Sequence, residues 1–310
     1  MRKILITGGA GFIASCLAEK LIADPENYVV IVDDLSTGSL KKLPQSPQDN
    51  WRFIKADCNH DEIIQVILNH NFDFIYHYAA MVGVQRTQEN PVHVIRDIDG
   101  FKNILNAAKN TSVKRVFFAS SSEVYGEPVT FPQNEYTTPL NSRVPYAVVK
   151  NIGETFLRAY HQEFGLEYTI FRFFNTYGPK QSKDFVVSRF IAKALKNKPI
   201  TIYGDGSQTR TFCFVDDNIE ACVKCSYGDF HLNDVVNIGN DNETPILELA
   251  HLIIKLTGSK SEIVYLPPLK DGDMPRRCPD ISKMKTLLGR DLLPLEQGIK
   301  NILADTSYIL

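Results

Sequence analysis

No apolar run in this sequence approaches the roughly 20 residues that a membrane-crossing helix requires, so no helical membrane span is expected. Neither sign of charge dominates: 34 Lys and Arg stand against 36 Asp and Glu, a formal net charge of -2. That balance gives neither the basic footprint of a nucleic-acid binder nor an acidic tail. Six cysteines (Cys16, Cys58, Cys213, Cys222, Cys225, Cys278) are scattered without a disulfide framework, in a chain large enough to stand without staples. A cytoplasmic, reducing location is therefore expected. Cys222 and Cys225 have the spacing of a metal or redox pair, but they fall in a helix-like segment with no second pair. The seven histidines form no spaced cluster with carboxylates, so no metal is expected. Internal repeats and low-complexity tracts are missing as well. Arg2 and Lys3 lead into a short apolar run and then glycines, unlike a signal peptide. What is present is an ordinary globular composition, 44% apolar and 23% charged, in 310 residues. Such a length suits one large domain or two lobes.

Apolar strand candidates recur with helical stretches between them: Lys3 to Ile6, Tyr28 to Val32, Arg52 to Lys55, Phe74 to His77, Arg115 to Ala119 and Tyr168 to Phe173. Alternation of this kind predicts an α/β fold, a doubly wound parallel sheet of the Rossmann type with helices on both faces. After Gly178-Pro179 the pattern becomes irregular. Helix-like stretches there run from Val186 to Leu195, Ile246 to Leu256 and Leu295 to Leu303, and they suggest a smaller C-terminal lobe covering a substrate. We expect residues 1–178 to form the cofactor domain, with 211–239 returning to it, and residues 179–210 and 240–310 to form the lobe. Thr211 to Phe214 and Val235 to Ile238 look like short strands that rejoin the sheet.

Gly8, Gly9, Ala10, Gly11, Phe12 and Ile13 close the first apolar run, and Asp33-Asp34 closes the second. A turn of small residues between a strand and a helix lets a pyrophosphate approach the backbone at a helix N-terminus, where unpaired N–H groups and the helix dipole favour negative charge. A carboxylate at the end of the next strand can accept both hydroxyls of a ribose and would repel a 2′-phosphate. The cofactor expected is thus NAD rather than NADP, with Asp33 on the adenosine ribose. Ala14 stands at the third small position, which governs helix-to-strand packing.

Tyr146 and Lys150 lie four apart in a segment, Tyr146 to Tyr160, that reads as an amphipathic helix after Pro145, so they share one face. An ammonium near a phenol favours the phenolate and lowers a pKa that starts near 10, as a general base requires. Just upstream, Ser120, Ser121, Ser122 and Glu123 follow a strand end. Three hydroxyls and a carboxylate are poor strand formers and sit where a substrate would meet the cofactor.

TGGAGF at 7–12, HYAA at 77–80, SSSEVYG at 120–126, YAVVK at 146–150, RFFNTYGP at 172–179 and QTRTF at 208–212 together resemble the extended short-chain dehydrogenase/reductases. Within that group the chain is similar to NAD-dependent nucleotide-sugar epimerases, dehydratases and decarboxylases. The resemblance runs through nearly the whole chain and implies roles for its residues. Tyr146 removes the proton of the sugar C4 hydroxyl, Lys150 holds the nicotinamide ribose and tunes Tyr146, and Ser121 hydrogen-bonds the same hydroxyl. Gly8, Gly11, Phe12, Ile13, Asp33, Asp57 and Ala79 line the cofactor, Asp57 at the adenine. Ser122 and Asn175 stand near the substrate. Arg210 and an arginine of the Arg276-Arg277 pair clamp its phosphates. Asp97 departs from the pattern, since the family commonly has Asn there, and its role is left open. The resemblance also implies a homodimer, built by the helix carrying Tyr146 and that from Phe101 to Lys109.

The shared first step is oxidation at C4. Glu123 argues against the simplest 4-epimerases, which lack a carboxylate there, and Ser122 argues against the usual 4,6-dehydratases, which have Asp. Ser122-Glu123-Val124-Tyr125-Gly126 with Gln208-Thr209-Arg210, and the stretch Pro275 to Asp280, resemble the UDP-glucuronate decarboxylases. Ala79 to Val84 is closer to the epimerases. The order of expectation is decarboxylase, then 4-epimerase, then dehydratase, acting on a nucleotide sugar with uridine favoured. A non-catalytic cofactor sensor would more naturally lack the Tyr146 and Lys150 pair.

Overall fold

The computed structural model describes residues 1–45, 47–127, 129–268 and 276–309. Pro275, the first residue of the decarboxylase-like stretch, lies outside them. Two compact units account for the chain: Met1–Gly126, Leu140–Phe173 and Ile219–Val236 form the first, and Glu127–Pro139, Phe174–Asn218 and Asn237–Leu310 the second.

In the first unit every expected strand forms. β1 (Arg2–Thr7), β2 (Asn27–Asp33), β3 (Trp51–Lys55), β4 (Phe74–His77), β5 (Arg115–Ser121) and β6 (Glu167–Phe173) alternate with α1 (Phe12–Ile22), α2 (Glu62–His70), α3 (Val84–Glu89), α4 (Pro91–Ala108) and α5 (Pro145–Phe164). β1 to β6 pair in parallel. With β11 (Asp234–Ile238) the sheet runs β11-β6-β5-β4-β1-β2-β3, so chain order reverses across β1 and β4, the switch point where a doubly wound sheet opens a crevice. Strands covered on both faces read as continuous apolar runs, and Ile4, Leu5, Ile6, Val29, Val30, Ile31 and Val32 are accordingly all buried. On one face Leu5, Val30, Ile75, Val116, Phe118 and Ile170 pack in one core cluster with Ile63 and Ile67 of α2, Phe101 and Ile104 of α4, and Val149 and Leu157 of α5. Each such side chain stabilises the fold by about 1.5–3 kcal/mol on burial.

α5 begins with Pro145 in its first turn, where the missing N–H costs nothing. It ends at Gly165, whose left-handed backbone (φ 72°) lets its N–H reach His161 O. α4 starts ten residues before Phe101, at Pro91.

The second unit holds short strand pairs rather than a large sheet. β7 (Thr176–Tyr177) pairs in parallel with β10 (Cys213–Phe214), β8 (Ile200–Tyr203) in parallel with β13 (Ile263–Leu266), and β9 (Thr209–Thr211) antiparallel with β12 (Glu243–Pro245). Its helices are α6 (Val186–Ala194), α8 (Ile246–Thr257), α9 (Ser282–Leu288) and α10 (Leu295–Ala304), while α7 (Val215–Ser226) runs from this unit into the first. Val235 to Ile238 does join the main sheet, as β11. Thr211 to Phe214 does not: Thr211 pairs with Glu243, and Cys213 donates its N–H to Asn175 O just beyond β6. The ladder groups that the sheet would have used are thus taken locally.

All six cysteines are free, and Cys222 and Cys225 are buried in α7. Among the described residues no group of three or more His, Cys, Asp and Glu could hold a metal ion. Nor is any helix there long and apolar enough to cross a membrane.

Candidate active site

The glycine turn is built for close approach. Gly8 has φ 69°, and a Cβ on it would fall 2.7 Å from Ala79 Cα and N. Only glycine fits, which lets the C-terminal ends of β1 and β4 come together. Gly11 caps α1 without a side-chain hydrogen bond, and the first turn of α1 carries no acidic residue. Its N–H groups and dipole therefore remain suited to an anion. Phe12 and Ile13 are half-buried at this helix start.

Asp33 is buried at the end of β2, where its two oxygens accept from Ala10 N (3.0 Å) and Leu35 N (2.8 Å). Burial raises its carboxyl above the usual value, and these two bonds oppose the rise. Each oxygen keeps a second lone pair for a ribose hydroxyl. A Cβ on Gly38 would meet Asp33 Oδ1 at 2.5 Å, so only glycine lets the chain pass this close to the carboxylate. Asp57 is half-buried after β3 and accepts from Asn59 N at 2.8 Å. Thr7 Oγ1 accepts from Tyr78 N and Ala79 N and contacts His77 Nδ1 at 2.8 Å, tying β1 to the loop after β4. Together, the turn, the uncapped helix start and the fixed carboxylate fit NAD.

The chemical groups gather at the end of β5 and the start of α5. Ser121 ends β5 and accepts from Glu123 N at 3.2 Å, which opens the 3-10 turn Ser122–Tyr125. Tyr146 is half-buried, close enough to the Ser121 hydroxyl for it to draw the phenol pKa down. Lys150 is buried, its Nζ donating to Ala119 O at 2.7 Å and standing 5.8 Å from the Tyr146 ring centre. Tyr146, Lys150, Ser121 and Glu123 are thus brought together, and Ser122 is buried beside them.

One expectation is corrected. The phenol of Tyr146 is not lowered by Lys150; burial raises it, the charge of Glu123 raises it further, and only Ser121 pulls it down. The ammonium faces Ala119 O, and its own pKa is lowered by burial to about 8, with Asp97 opposing the fall. Asp97, whose role was open, is half-buried on α4 and accepts from Met81 N at 3.0 Å. Its carboxyl is raised by burial and drawn down by Met81 N–H and by Lys150.

Glu154 was not singled out, although it extends the Tyr146 and Lys150 spacing by one more helical turn on the same face. It is fully buried and accepts from Ser120 Oγ (2.7 Å), Arg172 Nε (2.9 Å), Arg172 Nη2 (2.7 Å) and Arg158 Nη2 (3.0 Å). Arg172 also donates to Tyr125 OH at 2.9 Å. One buried carboxylate therefore ties α5 to β5 and β6 and, through Arg172, to the 3-10 turn.

The remaining substrate candidates lie on the second unit. Asn175 donates to Thr211 O at 3.2 Å, and Arg210 Nη1 to Thr209 O at 2.7 Å. Arg276 is held bidentately by Glu243, with contacts of 2.5 to 2.9 Å, and Glu243 also accepts from Thr209 Oγ1. Arg277 is half-buried next to it.

The family described as NAD dependent epimerase/dehydratase matches residues 4–239. UDP-glucuronic acid decarboxylase 1 of Danio rerio is 38% identical over 307 residues, covering 96% of this chain and 71% of that protein. A putative UDP-glucose 4-epimerase of Methanocaldococcus jannaschii is 36% identical over 306 residues, 96% of both chains. The crystal structure of UDP-glucose 4-epimerase from Thermotoga maritima, solved with UDP-glucose, superposes with a TM-score of 0.90 at 33% identity over 97% of both chains.

Proposed function

We propose, from the premise that this chain belongs to the NAD dependent epimerase/dehydratase family, that it removes CO2 from UDP-glucuronate by way of a 4-keto sugar. The observation that carries this reading is Glu123, a half-buried carboxylate close enough to Tyr146 to raise its phenol, with a serine rather than a carboxylate at 122. NAD, when bound, supplies the oxidation at C4 and its reversal. Tyr146 takes the proton of the C4 hydroxyl on its phenolate oxygen, and Ser121 orients that hydroxyl through a hydrogen bond. Lys150, anchored on Ala119 O, holds the nicotinamide ribose. A ketone at C4 makes the C6 carboxylate part of a β-keto acid. The C5–C6 bond then breaks, its electron pair passes into the ketone, CO2 leaves, and C5 takes up a proton. Glu123 flanks the uronate, and Asn175, Arg210 and the Arg276-Arg277 pair serve the diphosphate.

A second reading is UDP-sugar 4-epimerisation, favoured by the loop from Ala79 to Val84 and by the 4-epimerases among the similar proteins. Mass spectrometry of the protein incubated with NAD and UDP-glucuronate, beside UDP-glucose, separates the two. Loss of CO2 to a UDP-pentose or its 4-keto form is the expected result. An unchanged mass with a new isomer on chromatography would replace decarboxylation by epimerisation.

We also propose a homodimer through α4 and α5, which leave Val92, Ile95 and Val148 exposed, closed two-fold pairing being the commonest assembly. Light scattering showing a monomer at micromolar concentration would remove it. A cytoplasmic location suits six free cysteines.

A further inference from the structure

Several exposed cations of the second unit are neutralised by carboxylates of the same unit. Arg276 pairs with Glu243, Lys285 with Asp241, and Arg290 with Asp217. Arg189 and Lys193 are different. They lie four apart on α6, one turn of a helix, so they share a face, and both are half-buried. Among the described residues no carboxylate lies within ion-pair distance of either. Arg189 Nε is buried with no acceptor, which is unfavourable when nothing completes it. Lys193 Nζ has one partner, the neutral hydroxyl of Thr201 on β8, at 2.9 Å. Burial and the neighbouring guanidinium both weaken the hold of Lys193 on its proton. Two like charges held together without a counter-charge are unfavourable in the free protein and favourable once an anion lies between them.

We propose that Arg189 and Lys193 form a phosphate-binding pair that receives the diphosphate of the substrate, a role that rests on the nucleotide-sugar reading above. Phosphate suits the three groups present. The guanidinium offers a planar fork of donors, the ammonium a compact charge, and Thr201, whose oxygen accepts from Lys193, still has its own proton to donate. Arg276, by contrast, would have to leave a bidentate carboxylate to bind phosphate. The pair therefore supplies positive charge that Arg276, bound to Glu243, does not.

Calorimetric titration with UDP, uridine and inorganic pyrophosphate tests the pair in the full chain, in Arg189→Gln and, should that variant fold poorly, in Lys193→Gln. UDP affinity should fall about tenfold or more in either variant, the loss of a charge-assisted contact, while uridine affinity stays at the parental value. Arg189→Lys should recover part of the loss, and raising salt should weaken the parent more than the variants. Parental UDP affinity in both Gln variants, or an equal loss for uridine, would overturn the pair and leave the nucleotide-sugar reading intact. A parent that binds pyrophosphate but not UDP, with pyrophosphate binding lost in the variants, would keep the pair as a phosphate site and remove that reading instead.

Discussion

Replacing Arg172 by Met should be among the most damaging single changes in the first unit, and replacing Glu154 by Met in the same chain should restore much of what is lost. Both side chains are almost completely buried, and they share two hydrogen bonds of 2.9 and 2.7 Å. Without Arg172 the carboxylate keeps only Ser120 and Arg158, and the Arg158 side chain is 42% exposed. A buried charge stripped of its partner costs about 3–5 kcal/mol, and each single variant should lose about that much. In the double variant no buried charge remains. What persists is the loss of partners for Ser120 Oγ and Tyr125 OH, about 1–3 kcal/mol each, offset in part by two added apolar side chains. The double variant should then be at least about 2 kcal/mol more stable than the sum of the singles. Urea unfolding of the four proteins, followed by circular dichroism, measures the cycle. pH provides a second check. Burial pushes Glu154 up, but the bonds and charge of Arg172, with Ser120 and Arg158, outweigh it and hold the carboxyl below its usual 4.5. A depressed carboxyl contributes stability that is present above 4.5 and is lost as pH falls through the lowered value. The parent's advantage over the double variant should shrink below pH 4.5. Additive losses within about 0.5 kcal/mol, or an advantage indifferent to pH, would refute the reasoning.

Tyr146→Phe should lower kcat by about 10² to 10⁴-fold, the usual worth of a positioned acid–base group, with NAD binding retained in a fluorescence titration; unchanged turnover would remove Tyr146 from the chemistry. Asp97→Asn removes an anion that helps Lys150 keep its proton against burial, so a pKa near 8 should fall further. If the ammonium is the active form, the alkaline limb of kcat should move to lower pH, and a limb that stays in place would detach Asp97 from Lys150. Gly8→Ala forces a Cβ onto the Ala79 backbone at positive φ. The gain in melting temperature on adding NAD should shrink or vanish, whereas a parental gain would show that the turn is not the cofactor's seat.

The sheet was legible because its strands are covered on both faces and short apolar runs have no other comfortable place; six strands are found where those runs predicted them. Where the signal failed, the physics was non-local. The helix expected from Phe101 extends back through VHVIRDIDG to Pro91, which opens its first turn, and Asn59 Oδ1 accepts from Gly100 N across the fold. Thr211 to Phe214 has strand composition, yet composition cannot say which neighbour supplies the ladder, and Asn175 O intercepts it. The same division runs through the site. Residue types and spacing marked Tyr146, Lys150, Ser121 and Glu123, and the fold brings them together. Their electrostatics was not readable, because Lys150 lowers the Tyr146 phenol only if the ammonium faces it, and here the ammonium donates to the Ala119 carbonyl. Spacing states which residues share a helix face, whereas burial and competing acceptors decide the charge each one carries there. A half-buried Tyr146 raised by Glu123 needs a lost or neutralised carboxylate, or a charged partner brought by the ligands, before it can act as a base. Substrate-free Glu123→Gln should therefore titrate Tyr146 at lower pH than the parent does, which ultraviolet difference spectra of the phenolate can measure. An unmoved phenolate titration would mean that burial alone sets the Tyr146 pKa.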